Sequence, residues 1–328
     1  MLTGFLALII AIICSFIIGL TVNLGSTCAV NAARNFVHRQ QADMLVGFGI
    51  AIAVAAMIVL PAKWLSPAQI HLASNPEIGV ALITGAVLMG VGAYVNGACL
   101  FGTLGRIGKG ELRFLGLPLG LAAGFTIEHR QNFLHVPRHL DNPLAQPTFT
   151  GGIILAGFAL LLALCWWWLQ RAGRRAGAEP AASYWTVQRS MAVLGLFGAL
   201  QFALVPGSTY VDAIQSFFRM IPDMKAFATP VLPSIAALAG TMIAGIWSRR
   251  FRIEYPQIGG LARSFAGGLL MGIGGSWIPG GNDTLLLSFL PAAALGGILA
   301  YVVMTATIFL LLMIRRPEGR KNGEFFSK

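Results

Sequence analysis

Two of the four cysteines lie in short polar segments that interrupt apolar sequence. Cys28 follows Gly25-Ser26-Thr27, and Cys99 follows Asn96-Gly97-Ala98. A thiol donates a weak hydrogen bond, and a helix N-terminus beside it favours the thiolate. Such groups suit a polarizable, sulfur-containing anion. The alternative for Cys28 and Cys99 is a small side chain that packs closely near glycine. For Cys14 and Cys165, which lie in uninterrupted apolar sequence, we favour a small hydrophobic side chain in helix packing or facing lipid.

Other motifs that could carry chemistry are absent from the sequence. There is no CxxC pair and no cysteine and histidine at metal-ligand spacing, so neither a metal site nor a disulfide is expected. His129, His135 and His139 cluster in a polar stretch without a nearby cysteine, and a solvated loop is the favoured interpretation. The chain also has no GxxxxGKS or GxxxxGKT phosphate loop. We therefore expect no metal, no cofactor and no ATP site.

The segment that holds Cys28 recurs 182 residues further along the chain. Gly25-Ser26-Thr27 is repeated as Gly207-Ser208-Thr209, and Met89-Gly90-Val91-Gly92 is matched by Met271-Gly272-Ile273-Gly274. Duplicated apolar halves with glycine-interrupted segments are typical of transporters, which bind substrate where the halves meet. The sequence therefore predicts two copies of one unit.

The two copies differ in their chemistry. At the same offset Cys28 corresponds to Tyr210, and Cys99 corresponds to Gly281. The repeat is therefore a repeat of backbone pattern, and the thiols belong to the first copy alone.

The composition places the chain in a lipid bilayer. Of its 328 residues, 56% are hydrophobic and 11% are charged, which is far from the balance of a soluble domain. Apolar runs of about 20 residues predict membrane-spanning helices. We predict an all-α polytopic membrane protein with about nine transmembrane helices, the first of which is retained because it lacks the marks of a cleaved signal. The predicted spans are 3–22, 43–62, 79–97, 112–128, 150–170, 190–206, 228–247, 264–280 and 285–313.

The net charge of +11 reports mainly the orientation of the chain. With the N-terminus outside, 18 of the 23 Lys and Arg residues fall on the cytoplasmic side of the predicted spans. The positive-inside rule therefore predicts an external N-terminus and a cytoplasmic C-terminus. No basic face interleaved with aromatic residues is present, so the expected partner is the lipid bilayer and not a nucleic acid.

Equivalent points in the two copies are separated by five predicted spans. Because five is odd, the second copy enters the membrane upside down relative to the first, which makes an inverted repeat. The predicted organisation is a first repeat of four spans over residues 1–148, a linker span and cytoplasmic loop over 149–183, and a second, inverted repeat of four spans over 184–328.

Each repeat contains two places where a span ends in glycine and small polar residues and a new apolar run soon begins. A helix broken within the membrane leaves backbone groups that must face protein or water, and the N-terminus of a half-helix attracts an anion. We therefore predict four broken or re-entrant segments, at 23–31, 96–105, 206–212 and 279–284, which converge on one midplane passage lined by cysteines and half-helix ends. The candidate passage residues are Gly25, Ser26, Thr27, Cys28, Asn96, Gly97, Cys99, Gly207, Ser208, Thr209, Tyr210, Gly280, Gly281, Asn282 and Asp283.

The last break contains an acidic residue, although a fixed negative charge repels an anion. We expect Asn282 or Asp283 to cap a helix that starts at Thr284, with Asp283 facing a vestibule and not the constriction. The alternative is that Asp283 is a protonatable group that couples transport to a proton.

In these motifs the chain resembles the YeeE/YedE family of sulphur transport membrane proteins. The family pattern of glycine, two residues and cysteine is matched by Gly25 to Cys28, and its Gly-rich span ending in cysteine is matched by Gly85 to Cys99. The basic turn and Gly-rich span of the second half are matched by 248–252 and 263–274. The motifs agree in order, spacing and repeat relation over nearly the whole chain.

The resemblance implies an importer in the bacterial inner membrane for a small sulfur-containing inorganic anion, thiosulfate or a related ion. In that family, cysteines pass the anion along a narrow passage by transient contacts between S–H groups and sulfur. Cys28 and Cys99 match two of the three pathway cysteines of the family, and Gly281 falls at the position of the third.

Two other functions stay open from the sequence. One is a membrane sulfurtransferase-type protein in which Cys28 or Cys99 accepts sulfur and passes it to a cytoplasmic sulfur-carrier protein. No histidine or carboxylate lies close to either cysteine in sequence to act as its base. The other is a membrane subunit that does not transport. A permease without enzymatic activity is the favoured interpretation.

Overall fold

The computed structural model of the chain is built almost entirely from α-helices. It describes residues 2–25, 27–131, 138–175, 186–218, 224–278 and 280–314. The helices are α1 (Leu2–Gly25), α2 (Ala29–Arg39), α3 (Asp43–Leu65), α4 (Val80–Asn96), α5 (Leu100–Ile107), α6 (Gly116–Gln131), α7 (Phe149–Arg175), α8 (Val187–Leu204), α9 (Tyr210–Phe218), α10 (Met224–Trp247), α11 (Ile258–Trp277), α12 (Asn282–Thr284) and α13 (Leu295–Ile314). Shorter elements are 3-10 turns at Leu112–Leu115 and Pro143–Ala145, a π-helical segment at Leu285–Phe289 that continues α12, and the antiparallel strands β1 (Asn75–Pro76) and β2 (His139–Leu140).

Seven stretches of the described chain are long and apolar enough to cross a membrane. They are Gly4–Arg39, Asp43–Leu65, Val80–Ile107, Phe149–Arg171, Val187–Leu204, Phe227–Trp247 and Leu295–Ile314. An all-α polytopic membrane protein is therefore confirmed. The predicted spans 112–128 and 264–280 coincide with α6 and α11, which are not among the seven, so the number nine stays a prediction.

The predicted span 285–313 is wrong at its start, because it contains two separate elements. The π-helical segment ends at Phe289, and α13 begins only at Leu295. Pro291 lacks the backbone N–H that a continuous helix needs. Ala293 then adopts a left-handed conformation with φ of 48°, which ends the first element before the second begins.

Helices α4 and α11 cross at glycine, so their backbones touch. A Cβ atom placed on Gly85 would lie 2.8 Å from the carbonyl oxygen of Gly274, and one on Gly274 would lie 2.5 Å from that of Gly85. Gly92 and Gly267 face each other in the same reciprocal manner, at 2.6 and 2.7 Å. Small residues at such crossings let membrane helices pack closely. This crossing fixes the C-terminal end of α4, from which the chain turns towards Cys99.

The other helix contacts come in matched pairs. Helix α1 packs on α10, and the helices at the corresponding places in the other half, α8 and α3, pack on each other. In the same way α6 packs on α11, and their counterparts α13 and α4 pack on each other. The two remaining large contacts, α1 with α8 and α4 with α11, join elements that lie at equivalent places in the two halves. The linker helix α7 contacts mainly α3 and leaves most of its apolar surface exposed, as a lipid-facing helix does.

Candidate functional site

The two cysteines of the first repeat meet between the starts of two short helices. Cys28 is the residue before α2, and Cys99 is the residue before α5. Their Sγ atoms lie 3.6 Å apart, with Cys99 donating to Cys28, and the residues are 8% and 2% exposed. Both cysteines are free thiols. The structure therefore brings together two side chains that are 71 residues apart in sequence.

The sulfur of Cys99 is held by backbone amides from both helices. The N–H of Gly102, in the first turn of α5, donates to Cys99 Sγ at 3.4 Å. The N–H of Ala29, the first residue of α2, donates to the same atom at 3.3 Å. Each amide also carries the positive end of its helix dipole. Two half-helix N-termini thus point at one sulfur atom, which is an arrangement that stabilises negative charge on sulfur.

Glycine makes the close approach of the two breaks possible. A Cβ atom on Gly102 would clash with Sγ of Cys28, so only glycine leaves room for that thiol against α5. Gly97 ends α4 with φ of 80°, and its N–H bonds the carbonyl groups of Ala93 and Tyr94. A left-handed residue at this place is the usual way to end a helix and redirect the chain. The glycines of this break therefore have positioning roles.

Asn96 is a positioning residue of the same break. Its Nδ2 donates to the carbonyl oxygen of Ala98 and to Thr103 Oγ1, both at 2.8 Å. Its Oδ1 accepts from Ser264 Oγ of α11 at 2.7 Å. All three contacts are buried, so the side chain ties the loop before Cys99 to α5 and to the second repeat. The sequence predicted Asn96 as a passage residue, and in this structure its polar atoms are already used.

The rest of the first break is buried beside the thiols. Gly25 lies against Ser190 of α8, where a Cβ atom would clash. Thr27 is 1% exposed, and its hydroxyl has no hydrogen-bond partner within the described chain. Ser26 lies outside the described residues. Thr27 therefore offers a free hydroxyl in the loop that carries Cys28.

The equivalent break of the second repeat closes its helix end differently. Thr209 precedes α9, and both its N–H and its hydroxyl donate to Asp212 Oδ2, at 3.0 and 2.6 Å. The N–H of Asp212 donates back to Thr209 Oγ1 at 3.3 Å. This reciprocal pairing is the geometry of a capping box. Gly207 turns the chain with φ of 74°, and Ser208 is bonded to Gln201 and Val205.

The last break differs from the prediction about its helix cap. Helix α12 begins at Asn282 and not at Thr284, and the residue before it is Gly281. No side chain of the described residues caps this helix, so the expectation that Asn282 or Asp283 is its cap is wrong. Both residues lie inside the first turn and are buried. The reason is that Gly280, with φ of 87°, turns the chain early enough for the helix to start two residues sooner.

Gly281 lies where the breaks of the two repeats touch. A Cβ atom at this position would lie 2.5 Å from Leu100 Cδ1 and 3.3 Å from Val211 Cγ2, and would clash with the Asp283 carboxylate. Leu100 begins α5, and Val211 lies in the first turn of α9. Three of the four breaks are therefore in contact around Gly281, and the fourth joins them through the two thiols.

A cavity of ≈310 Å³ begins at Ala29, the residue after Cys28. It is bounded by α2, α3 and α13, and the N–H of Ala29 bonds Cys99. The lining is apolar except for Tyr301 and Thr305 of α13. Sequence reasoning missed these two residues, because a lone tyrosine and a threonine in an apolar helix form no motif.

Basic residues lie in the last turn of α5 and just after it, at the opposite end of the helix from Cys99. Arg106 Nη1 bonds both carboxylate oxygens of Glu111, at 3.1 and 3.0 Å, and its guanidinium lies over the ring of Phe114. Burial lowers the pKa of Lys109, and the neighbouring charges of Arg106 and Arg250 lower it further. Several positively charged side chains therefore lie close together at this end of α5.

The fold and the site together define a class of protein. It is an all-helical, multi-pass membrane protein in which broken helices bring thiols and half-helix ends together at a buried point. The sulphur transport family model matches residues 24–310, and the chain belongs to this family, the YeeE/YedE family. No curated protein matches the chain with significant similarity. Family and apolar helices together assign the chain to sulfur-related membrane transport.

Proposed function

We propose that the chain takes up a small sulfur-containing inorganic anion, thiosulfate or a related ion, through a passage at Cys28 and Cys99. The observation that carries this proposal is the contact of the two thiols between the N-termini of α2 and α5. Their Sγ atoms are 3.6 Å apart, and the amides of Ala29 and Gly102 both point at Cys99. A sulfur-bearing anion can replace one thiol as the partner of the other.

In the proposed step the anion binds without a covalent bond. The S–H groups of Cys28 and Cys99 donate weak hydrogen bonds to its terminal sulfur. The free hydroxyl of Thr27 provides a stronger donor for its oxygen atoms. The site is nearly dry, so the dipoles of the two half-helices act on the charge with little screening. The ≈310 Å³ cavity beside Ala29 is large enough to receive the ion after the thiols.

The proposed architecture has nine spans and an inverted repeat over 1–148 and 184–328, with 149–183 as linker. The matched helix contacts support it, since α1 with α10 and α3 with α8 exchange when the halves are exchanged. The distribution of Lys and Arg supports an external N-terminus and a cytoplasmic C-terminus in a bacterial inner membrane. In this orientation the ≈310 Å³ cavity lies on the cytoplasmic side of the thiols.

The substrate must be compatible with two thiols instead of three. Gly281 occupies the position of the third pathway cysteine, and Leu100 and Val211 fill the space beside it. The proposed passage therefore has one thiol pair and a constriction of backbone and apolar side chains next to it. The substrate range is set by this pair and by the hydroxyl of Thr27.

Uptake into proteoliposomes tests the proposal. The purified chain is reconstituted, and accumulation of labelled thiosulfate, sulfite, sulfate and sulfide is measured for the wild type and for C99A. We expect saturable uptake of at least one sulfur anion that C99A loses. C14A is the matched control, because Cys14 is equally buried and lies in uninterrupted helix. Uptake of no sulfur anion by the wild type, or undiminished uptake by C99A, contradicts the proposal.

The sulfurtransferase alternative makes a different prediction. One thiolate would attack the outer sulfur of thiosulfate, break its S–S bond and release sulfite, which leaves a persulfide on the cysteine. A thiol of a cytoplasmic sulfur-carrier protein would then take the outer sulfur and regenerate the cysteine. Burial of both thiols disfavours direct contact with such a carrier. Mass spectrometry of Cys99 after incubation with thiosulfate separates the two functions. A persulfide there favours the enzyme, and label that accumulates as intact anion favours the permease.

A further inference from the structure

A second cavity lies beside Asp283 and the start of α9, and its lining is more polar than that of the ≈310 Å³ cavity. Its volume is ≈30 Å³, and it is enclosed by α1, α5, α8, α9, α10 and the π-helical segment after α12. One water molecule needs about 10–15 Å³ by this measure, so the space corresponds to roughly two water-sized spheres. Its polar lining residues are Ser15, Gln201, Ser208, Thr209, Tyr210, Ser234 and Asp283.

Three of these residues have a buried oxygen atom without a hydrogen-bond partner in the described chain. They are Gln201 Oε1, the Tyr210 hydroxyl and Asp283 Oδ1. Gln201 is 4% exposed and Asp283 is 3% exposed. The amide nitrogen of Gln201 donates to Ser208, which fixes the orientation of the amide. Such groups are costly to bury without a partner, so their convergence on one cavity calls for a ligand.

The hydroxyl groups of the cavity present lone pairs as well. Ser208 Oγ donates its hydrogen to the carbonyl oxygen of Val205, and Ser234 Oγ donates to that of Pro230. Their oxygen atoms can therefore only accept or coordinate. The lining is rich in acceptors, and a ligand must supply positive charge or hydrogen-bond donors.

Asp283 is the only acidic residue among the described lining residues of the cavity. Within the described residues no lysine or arginine nitrogen lies within 4.0 Å of Asp283, the only salt bridges being those of Glu111. The nearest other carboxylate, that of Asp212 on α9, already accepts from Thr209. A buried carboxylate without a counter-charge is strongly disfavoured. Both charge and size exclude the sulfur anion from this space.

We propose that this cavity binds a sodium ion, with Asp283 Oδ1, Gln201 Oε1 and the Tyr210 hydroxyl as its protein ligands. Oxygen atoms from one carboxylate, one amide and hydroxyl groups are the ligands that a hard cation takes. Unwound segments between half-helices are also where transporters coordinate their coupling cations. A single carboxylate matches a monovalent ion.

A sodium ion alone meets both requirements of the cavity, whereas a proton and a water molecule would have to be present together to do so. A proton on Asp283 removes the negative charge but leaves Gln201 Oε1 without a partner. A water molecule pairs with the oxygens but leaves the charge. Sodium neutralises the carboxylate and coordinates the other two oxygens at once.

The role of the ion rests on the proposed function. Asp283 lines the cavity and also adjoins Gly281, which lies against Leu100 next to Cys99. A cation in the cavity therefore lowers the electrostatic repulsion that Asp283 exerts on an anion at Cys99. Sodium would then be the coupling ion that makes uptake of the anion favourable. The binding site itself can be tested without any transport.

Binding is measured on the purified full-length chain in detergent with ²²Na⁺, and thermal stability is followed in NaCl against equal KCl and choline chloride. We expect saturable ²²Na⁺ binding and a stabilisation specific to NaCl. D283N should weaken the binding by roughly 30-fold or more, since it removes the only charged ligand. E128Q is the matched control, because Glu128 is an equally buried carboxylate whose Oε1 already accepts from Trp277. Its Na⁺ response should be that of the wild type.

Several outcomes would overturn the sodium site. They are equal stabilisation in KCl or choline chloride, absence of saturable ²²Na⁺ binding, or an undiminished Na⁺ response in D283N. The last two are the results expected of an ordered water or of a proton on Asp283. C99A should lose uptake and keep Na⁺ binding. If the wild type binds Na⁺ but moves no sulfur anion, the proposed function fails alone, and if it moves the anion without binding Na⁺, the sodium site fails alone.

Discussion

The first helix break and its counterpart 182 residues later share the residues glycine, serine and threonine but use their helix ends differently. In the first repeat the N–H of Ala29 reaches across to Cys99, a residue of another break. In the second repeat the N–H and hydroxyl of Thr209 turn inward to Asp212 of the same helix. The N-terminal amide of α2 therefore donates to a residue of another break and can donate to a ligand instead. The N-terminus of α9 is capped by the carboxylate of its own Asp212.

The second pair of breaks shows the same division. Cys99 projects a thiol towards Cys28, and Gly102 leaves room for that contact. Gly281 projects nothing, and Leu100 and Val211 occupy the space beside it. The comparison teaches that two segments related in sequence can carry different chemistry, with thiols in contact in the first and a buried acidic residue in the second.

The largest expected effect comes from removing the thiols of the first repeat. C28A and C99A should each abolish saturable uptake, because the anion needs both thiols in one place. The double variant should be no worse than either single variant, since groups that act as a unit are not additive. Uptake kinetics in proteoliposomes measure this, with C14A as the control that keeps activity. A single variant that retains half of the wild-type rate would show that the thiols act separately.

Placing a cysteine at Gly281 tests whether the second repeat lacks a thiol there because a side chain has no room at this position. G281C should destabilise the protein by about 1–3 kcal/mol, because its Cβ atom clashes with Leu100 and Asp283. G281C should cost less when it is added to L100A than when it is added to the wild type, because the shortened side chain leaves room for the new Cβ atom. G152C is the control, since nothing lies within 4 Å of a Cβ atom at Gly152. Thermal unfolding in detergent measures all of these effects, and a G281C variant as stable as G152C would contradict the crowding.

The closed helix end of the second repeat predicts a smaller effect on stability. D212A removes the acceptor of Thr209, so it should cost about 0.5–2 kcal/mol, the usual cost of losing a helix cap. Because this cap lies away from the thiols, the Michaelis constant for anion uptake should change little. Thermal unfolding and uptake on the same preparation test both points. A D212A variant that is stable but has lost uptake would place Asp212 in the passage instead.

The smallest expected effect concerns Lys109, beyond α5. Its pKa is lowered, so its positive charge is lost at a lower pH than that of an ordinary lysine as the pH rises. If this charge attracts the anion after the thiols, uptake should decline at alkaline pH by a few-fold. K109R keeps the charge throughout this range and should flatten the decline. Uptake rates across a pH series decide the matter, and identical profiles for wild type and K109R would remove Lys109 from the passage.

Much of this organisation is readable from the residues. Apolar runs predict the multi-pass helical class, and the 182-residue offset predicts the two sets of breaks. The thiol segments were identified because glycine and small polar residues cannot continue a membrane helix without a protein partner. The start of α12 could not be predicted from the sequence, because it follows a positive φ at Gly280. The helix begins at Asn282, so Asp283 lies inside its first turn and is not its cap.

The sequence by itself determined that this is a membrane protein of the sulphur transport family and that Cys28 and Cys99 have no cysteine counterpart 182 residues later. Only the tertiary structure decided that Cys28 and Cys99 touch, that Ala29 from α2 serves a sulfur on α5, and that Asn96 is a positioning residue. It also decided that Gln201, Tyr210 and Asp283 share a cavity. The reason is that periodicity and composition act along the chain, whereas these contacts join breaks far apart in it and depend on how closely glycine lets the helices approach.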